Sequence, residues 1–249
     1  MLLGTLLASG CSAEIPVPTP TEAPDYQPPQ NVRNATLVWS AQPEIDLLGP
    51  EATLTRATRE AHLVALYAGP DNAYPGYMEA LRPEDRYFYP NDSGLAPLYG
   101  TEHSRIQELS TNPDGFSASI CVQPDGLARY TENTYFSSTG PAFLVTYEFV
   151  DRRVNEPHQD TDSSTSESIG STTQPNDSGE ADEPTWSAPQ GNVFVGWQLT
   201  FGSLTEDVDG SCEAWGRTIF PNAPSEPGTV ESNTPPPTLP AYPGWARQA

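Results

Sequence analysis

Few residues in this chain have the types and spacing to do chemistry, and those few stand far apart. The three histidines are His62, His103 and His158, and none lies at ligand spacing from another histidine or from Cys11, Cys121 or Cys212, so no zinc set is expected. The run Glu206-Asp207-Val208-Asp209-Gly210-Ser211 offers carboxylate oxygens to calcium. It lacks the twelve-residue ligand periodicity and the closing bidentate glutamate of a calcium loop, and an acidic turn is the expectation. No Gly-x-Ser-x-Gly elbow exists to expose a serine nucleophile. No glycine-rich loop is present to cradle a phosphate. All 11 basic residues are arginine, which removes Schiff-base and lysine-base chemistry. Neither a cofactor nor a metal is expected.

The N-terminal residues carry a different message. Leu6-Leu7-Ala8-Ser9-Gly10-Cys11 closes an apolar stretch, and a proline-rich segment follows at once. This arrangement resembles the lipobox of bacterial lipoproteins, with Leu7 one place further upstream than in the commonest version. The resemblance implies a signal peptide over residues 1–10, a diacylglycerol on the Cys11 thiol, and a mature chain anchored in the cell envelope, outside the cytoplasm, since two acyl chains hold stably. No arginine precedes the apolar run, so the expectation is that the true start lies upstream. With Cys11 given to lipid, Cys121 and Cys212 remain as an even pair in an oxidising compartment, and one disulfide is expected. It would close a loop of 212 − 121 = 91 residues, worth roughly 4 kcal/mol in the chain-entropy model.

Charge narrows the partners. A formal net charge of -22 argues against nucleic acid, whose affinity comes from neutralising phosphates with basic side chains. It equally argues against electrostatic docking on anionic lipid. The membrane is then reached through Cys11, and the remaining partner is an envelope protein or a small apolar ligand.

Stepping along the chain, residues 11–34 are rich in proline and threonine and are expected to form a lipidated linker. A single domain is expected over 35–220, interrupted by an acidic loop at 155–189 that carries eight acidic residues and no basic one. The segment 221–249 contains Pro235-Pro236-Pro237 and is expected to be a disordered tail, in which Tyr242 and Trp245 could dock locally. Pro50 and Glu51 suit a helix start. Leu54, Ala57, Ala61, Val64, Ala65 and Ala68 recur at helical spacing until Gly69-Pro70. A short helical turn follows Tyr74-Pro75-Gly76. Phe116, Ala118, Ile120 and Val122 alternate with polar or small residues between two Pro-Asp-Gly turns, which predicts a strand. Further strands are expected from Leu127 to Phe136, Phe143 to Phe149, Val193 to Phe201, and from Cys212 toward Ile219.

Helices followed by a strand meander make an α+β pattern, with N-terminal helices packed on a curved antiparallel sheet. Ala118-Ser119-Ile120-Cys121, Pro124-Asp125-Gly126, Gly196-Trp197-Gln198-Leu199 and Glu206-Asp207 before Cys212 resemble small actinobacterial secreted lipoproteins of the nuclear transport factor 2-like superfamily. The resemblance covers about a third of the chain and implies a cone with a cavity between sheet and helices. Enzymes of that superfamily place an acid with a tyrosine or histidine there, for proton abstraction beside a carbonyl. The matching candidates are Glu60, His62 and Tyr67 on the first helix and Tyr147 on a strand. Glu60 flanks the apolar stripe, where solvation is expected, and His62 reads as a boundary residue packing its ring. The tyrosines and phenylalanine between Tyr74 and Tyr99 read as core cover. The expectation is therefore a non-catalytic binding or interaction module, with a weak ketosteroid-isomerase-like or hydratase-like enzyme as the alternative.

Overall fold

The computed structural model of the chain describes residues 26–89, 96–155 and 186–245. Cys11, the leader, most of the linker and residues 156–185 of the acidic loop lie outside them. The described elements are β1 (Asn34–Ala41), α1 (Pro50–Ala68), α2 (Tyr77–Ala80), β2 (Leu98–Asn112), β3 (Gly115–Gln123), β4 (Leu127–Thr131), β5 (Thr134–Thr139), β6 (Phe143–Asp151), α3 (Arg152–Asn155), β7 (Trp197–Leu199), β8 (Ser203–Thr205), α4 (Ser211–Ile219) and β9 (Gly228–Ser232). All nine strands belong to one sheet, ordered β7-β6-β3-β2-β4-β5-β9, with β1 beside β2 and β8 beside β6.

This architecture overturns the expected fold class. Among the described residues strand makes up 36% and helix 22%, and the large, mostly antiparallel sheet is not a curved sheet under N-terminal helices, so the nuclear transport factor 2-like cone does not describe it. The first element is a strand, and it runs parallel to β2 from Asn34↔Tyr99 to Ala41↔Ile106. Leu37-Val38-Trp39 supplies β-favouring side chains. Ala35, Thr36, Leu37 and Trp39 are all buried, so the run lacks the alternation that announces a half-buried strand.

Helix α1 forms where its sequence places it, with proline in its first turn and Gly69 ending it at φ 94. Its Ala57, Ala61, Val64 and Ala65 are fully buried. Arg56, Arg59, Glu60 and His62 are buried too, each against a different neighbour: Arg56 against Trp245, Arg59 against Glu102 of β2, Glu60 against Trp39 and Trp245, and His62 against Tyr89. Glu60 is only 3% exposed, against the solvated position expected of it.

The long antiparallel ladder is β2–β3–β6, with Phe116, Ile120, Val145 and Phe149 buried on its inner face. Phe116 and Phe149 stand directly opposite each other and stack at 4.3 Å. Side chains of this kind contribute about 1.5–3 kcal/mol each when fully buried. The strand expected from Leu127 to Phe136 is broken into the β4–β5 hairpin at Glu132-Asn133, both left-handed with φ 49 and 64. Two such residues are what a tight hairpin turn requires, and asparagine tolerates the conformation best.

The segment opening at Cys212 is helix α4 rather than a strand. Cys212, Trp215 and Ile219 follow helical spacing, and Arg217 pairs with Glu213 one turn away at 2.7 Å. Cys121 on β3 and Cys212 are joined by a disulfide, with their Cα atoms 5.1 Å apart. Leu144, Ala142 and Trp215 pack around it. A Cβ on Gly216 would come within 2.7 Å of the Ala142 side chain, so glycine there lets α4 lie close against the chain before β6.

The C-terminal segment, expected from its composition to be a disordered tail, is described through residue 245 and contributes a strand to the sheet. Strand β9 pairs with β5 from Tyr135↔Ser232 to Thr139↔Gly228. Pro236 then passes over Gly100, where any side chain would collide with it and with the Gly126 carbonyl. Beyond it the chain completes the free edge of β1. The Trp39 N–H donates to the Tyr242 carbonyl at 2.6 Å, and the Tyr242 N–H donates to the Leu37 carbonyl at 3.1 Å. Residues 26–33, assigned to the linker by composition, also pack. Val32 is fully buried, and Tyr26 meets Tyr74 edge-on at 5.3 Å.

Candidate binding cavity

Two polar centres lie on different sides of α1, and one of them, at Arg59 and Glu102, opens onto a cavity. That cavity, of about 500 Å³, lies between α1 and the sheet. Leu63 and Leu66 line it from α1, and Leu98, Val122, Leu127 and Phe136 line it from the strands. Its polar lining includes Arg59, Glu102, His62, Tyr67, Arg129 and Ser138.

Glu102 arises from the period-two pattern of β2, on the same face as Leu98, Ser104 and Ile106. Arg59 reaches it from α1 as a two-toothed ion pair, with Nε donating to Oε1 at 2.8 Å and Nη2 donating to Oε2. The Ser104 hydroxyl donates to Oε1 at 3.0 Å. Burial works against the Arg59 charge, but Glu102 outweighs it and raises the guanidinium above its ordinary range. Tyr147, on β6, is 2% exposed and stands beside Arg59. Burial raises its phenol, and Arg59 offsets part of that rise. Tyr147 does not line the cavity.

His62 does face the cavity. Its Nδ1 is 2.9 Å from the Tyr89 hydroxyl, which is 2.6 Å from that of Tyr77. Phe201 meets its ring edge-on at 5.0 Å. Burial, reinforced by Arg59, holds its pKa well below 6.5, so the imidazole is neutral at physiological pH. It functions here as a packed, hydrogen-bonded ring.

Glu60 points to the other side of α1. The Trp39 indole N–H donates to Oε1 at 3.0 Å, the Tyr74 hydroxyl to Oε2 at 2.9 Å, and the Trp245 indole N–H also to Oε2. Trp186 donates to the Tyr74 hydroxyl at 2.8 Å. Arg56 lies over the Trp245 ring at 4.6 Å from its centre. Burial raises the Glu60 carboxyl to about 7, against the opposing pull of Arg56 and the three donors. This node joins α1 to β1, to the segment after the acidic loop, and to the C-terminal segment. It is a structural clasp with every acceptor taken.

The four sequence candidates are therefore only partly brought together: His62 and Tyr67 line the cavity, while Glu60 belongs to the clasp and Tyr147 to the Arg59 surroundings. Of the tyrosine group, Tyr74, Tyr77 and Tyr89 are buried while Tyr87 is 89% exposed, so the group forms no single groove. His103, on β2, rests edge-on against Phe220 at 5.8 Å. His158 lies outside the described residues. The acidic run caps α4: Asp207 Oδ2 accepts the N–H groups of Cys212 and Glu213 at 3.0 and 3.1 Å. A carboxylate there satisfies otherwise unpaired donors and favours the helix dipole. Among the described residues, no three His, Cys, Asp or Glu side chains gather to hold a metal ion. No described helix is long and apolar enough to cross a membrane.

Arg59, Glu102 and Arg129 escape sequence reasoning, although one signal existed. A glutamate and a serine in the inward-facing set of a strand need a buried partner, and Arg59 sits on the helix that covers them. Comparison of the chain with protein-family models, curated proteins and solved structures finds no match.

Proposed function

We propose that this domain is a non-catalytic binding module, held at a bacterial cell envelope through a lipidated Cys11, that takes a small, largely apolar ligand into the cavity between α1 and the sheet. The observation that carries the reading is a largely apolar cavity of about 500 Å³ whose buried acid–base groups are already spent. That volume falls within the roughly 300–1,000 Å³ typical of small-molecule sites. A base must be free to accept a proton from its substrate. Glu102 has both oxygens on Arg59, His62 is held by Tyr89, and Glu60 faces away, which favours binding over isomerase or hydratase chemistry.

The test is titration with the neutral fluorophore N-phenyl-1-naphthylamine, using wild type and Leu66→Trp, a substitution that fills the cavity from α1. Saturable fluorescence enhancement is expected in the wild type and at least a tenfold weaker one in the variant, with an unchanged unfolding midpoint. Equal enhancement in both folded proteins would overturn the cavity reading.

A further inference from the structure

We infer that the cavity's ligand is an amphiphile whose apolar body fills the space between α1 and the sheet and whose anionic head is bound by Arg129. The inference rests on the binding reading and adds the chemical class of the ligand. Arg129 sits on β4, directly opposite Leu98 on β2 and Phe136 on β5, and so shares their cavity-lining face. Its side chain is exposed, and among the described residues it makes no ion pair and no side-chain hydrogen bond.

That is unexpected in a chain with 33 acidic residues and 11 arginines, where acidic partners are in surplus. The other cavity arginine cannot serve. Arg59 has its guanidinium closed on Glu102 by two parallel bonds, and opening it would leave a buried carboxylate unpaired. Arg129 therefore supplies the free charge where apolar lining meets solvent. The Tyr67 hydroxyl lies within its field, since Arg129 opposes the rise that burial gives the Tyr67 phenol. Ser138, also at the cavity and on the same face of β5 as Phe136, adds a hydroxyl donor. A planar guanidinium with hydroxyl donors beside it matches a carboxylate or a phosphate monoester. A cationic or purely neutral head would leave the Arg129 charge uncompensated.

The experiment uses displacement of bound N-phenyl-1-naphthylamine from the folded domain by dodecanoate, dodecyl phosphate, dodecanol and dodecyltrimethylammonium. All are compared below their micellar concentrations, in wild type and Arg129→Gln. The expected result is that dodecanoate or dodecyl phosphate binds about ten- to a hundredfold more tightly than dodecanol, as a charge-assisted contact allows. Whichever of the two binds more tightly identifies the head. Arg129→Gln should bring the anions to the dodecanol level and weaken dodecanol and the probe far less than it weakens the anions. If the anions and dodecanol bind alike in wild type, or Arg129→Gln changes nothing, the anionic-head inference is overturned while the binding reading stands. If the probe itself never binds, the binding reading fails first.

Discussion

Replacing Glu60 by Gln removes a buried charge while keeping the side chain's size, so its effect on stability should depend on pH in a defined direction. The carboxyl of Glu60 titrates at about 7 in the fold, against about 4.5 when exposed, because burial disfavours its ionised form more than Trp39, Tyr74, Trp245 and Arg56 restore it. An acid whose folded value is raised holds its proton in the fold while the unfolded chain has already released it. Its contribution to stability is fully present below about 4.5, declines through the interval, and is lost above about 7. At about 1.4 kcal/mol for each pH unit, the interval between those values amounts to about 3–4 kcal/mol. Gln titrates nowhere in this range. The unfolding free energy of wild type minus that of Glu60→Gln should therefore fall by about 3 kcal/mol between pH 4.5 and 7.5. Urea unfolding followed by tryptophan emission measures this, and the other carboxylates cancel in the difference. Trp245→Phe, which deletes one donor to Glu60, should push the decline to higher pH. A difference that is flat with pH, or that grows in favour of wild type on going alkaline, would refute the argument that desolvation outweighs the clasp's donors.

The Cys121–Cys212 bridge closes 91 residues, and its reduction should cost about 4 kcal/mol by chain entropy. Calorimetry of Cys121→Ser, Cys212→Ser and the double variant should give similar losses in all three, and additive losses would contradict a shared bridge. Changing Cys11 to Ser in the full chain, expressed in a bacterial host, should move the protein from the membrane fraction to the soluble one. Unchanged partition would end the anchor proposal.

Several parts of the fold are legible in the sequence because their signals are local. Helix α1 has a proline start, a glycine stop and an alanine-rich stripe between them. Strand β3 has strict alternation between two Pro-Asp-Gly turns, and β6 has alternation alone. The parts that elude it depend on distant chain. Strand β1 is buried on both faces, so its short apolar run carries no period. Helix α4 is nine residues long, too short to separate helical from alternating spacing, and its start is set by Asp207. Proline content suggests that residues after 221 stay unstructured. Composition does not reveal that Leu239 meets Thr101 and that Trp245 meets Glu60, 185 residues away. The cavity shares this character, since Arg59 and Glu102 are 43 positions apart and acquire a relationship only through packing.

The closing of β1 by the C-terminal segment carries a kinetic consequence. A chain that emerges N-terminus first, from a ribosome or through an export channel, delivers Trp39 and Glu60 long before Tyr242 and Trp245. In that interval the backbone groups of Leu37 and Trp39 that later bond Tyr242 stand open, and Glu60 has lost one of its donors. An open strand edge is a template for pairing with another chain. Contacts spanning so much sequence also form slowly. The stretch around Tyr242, which follows β1 by about 200 residues, thus covers part of that open edge, and a partly emerged domain depends on being shielded until it has followed.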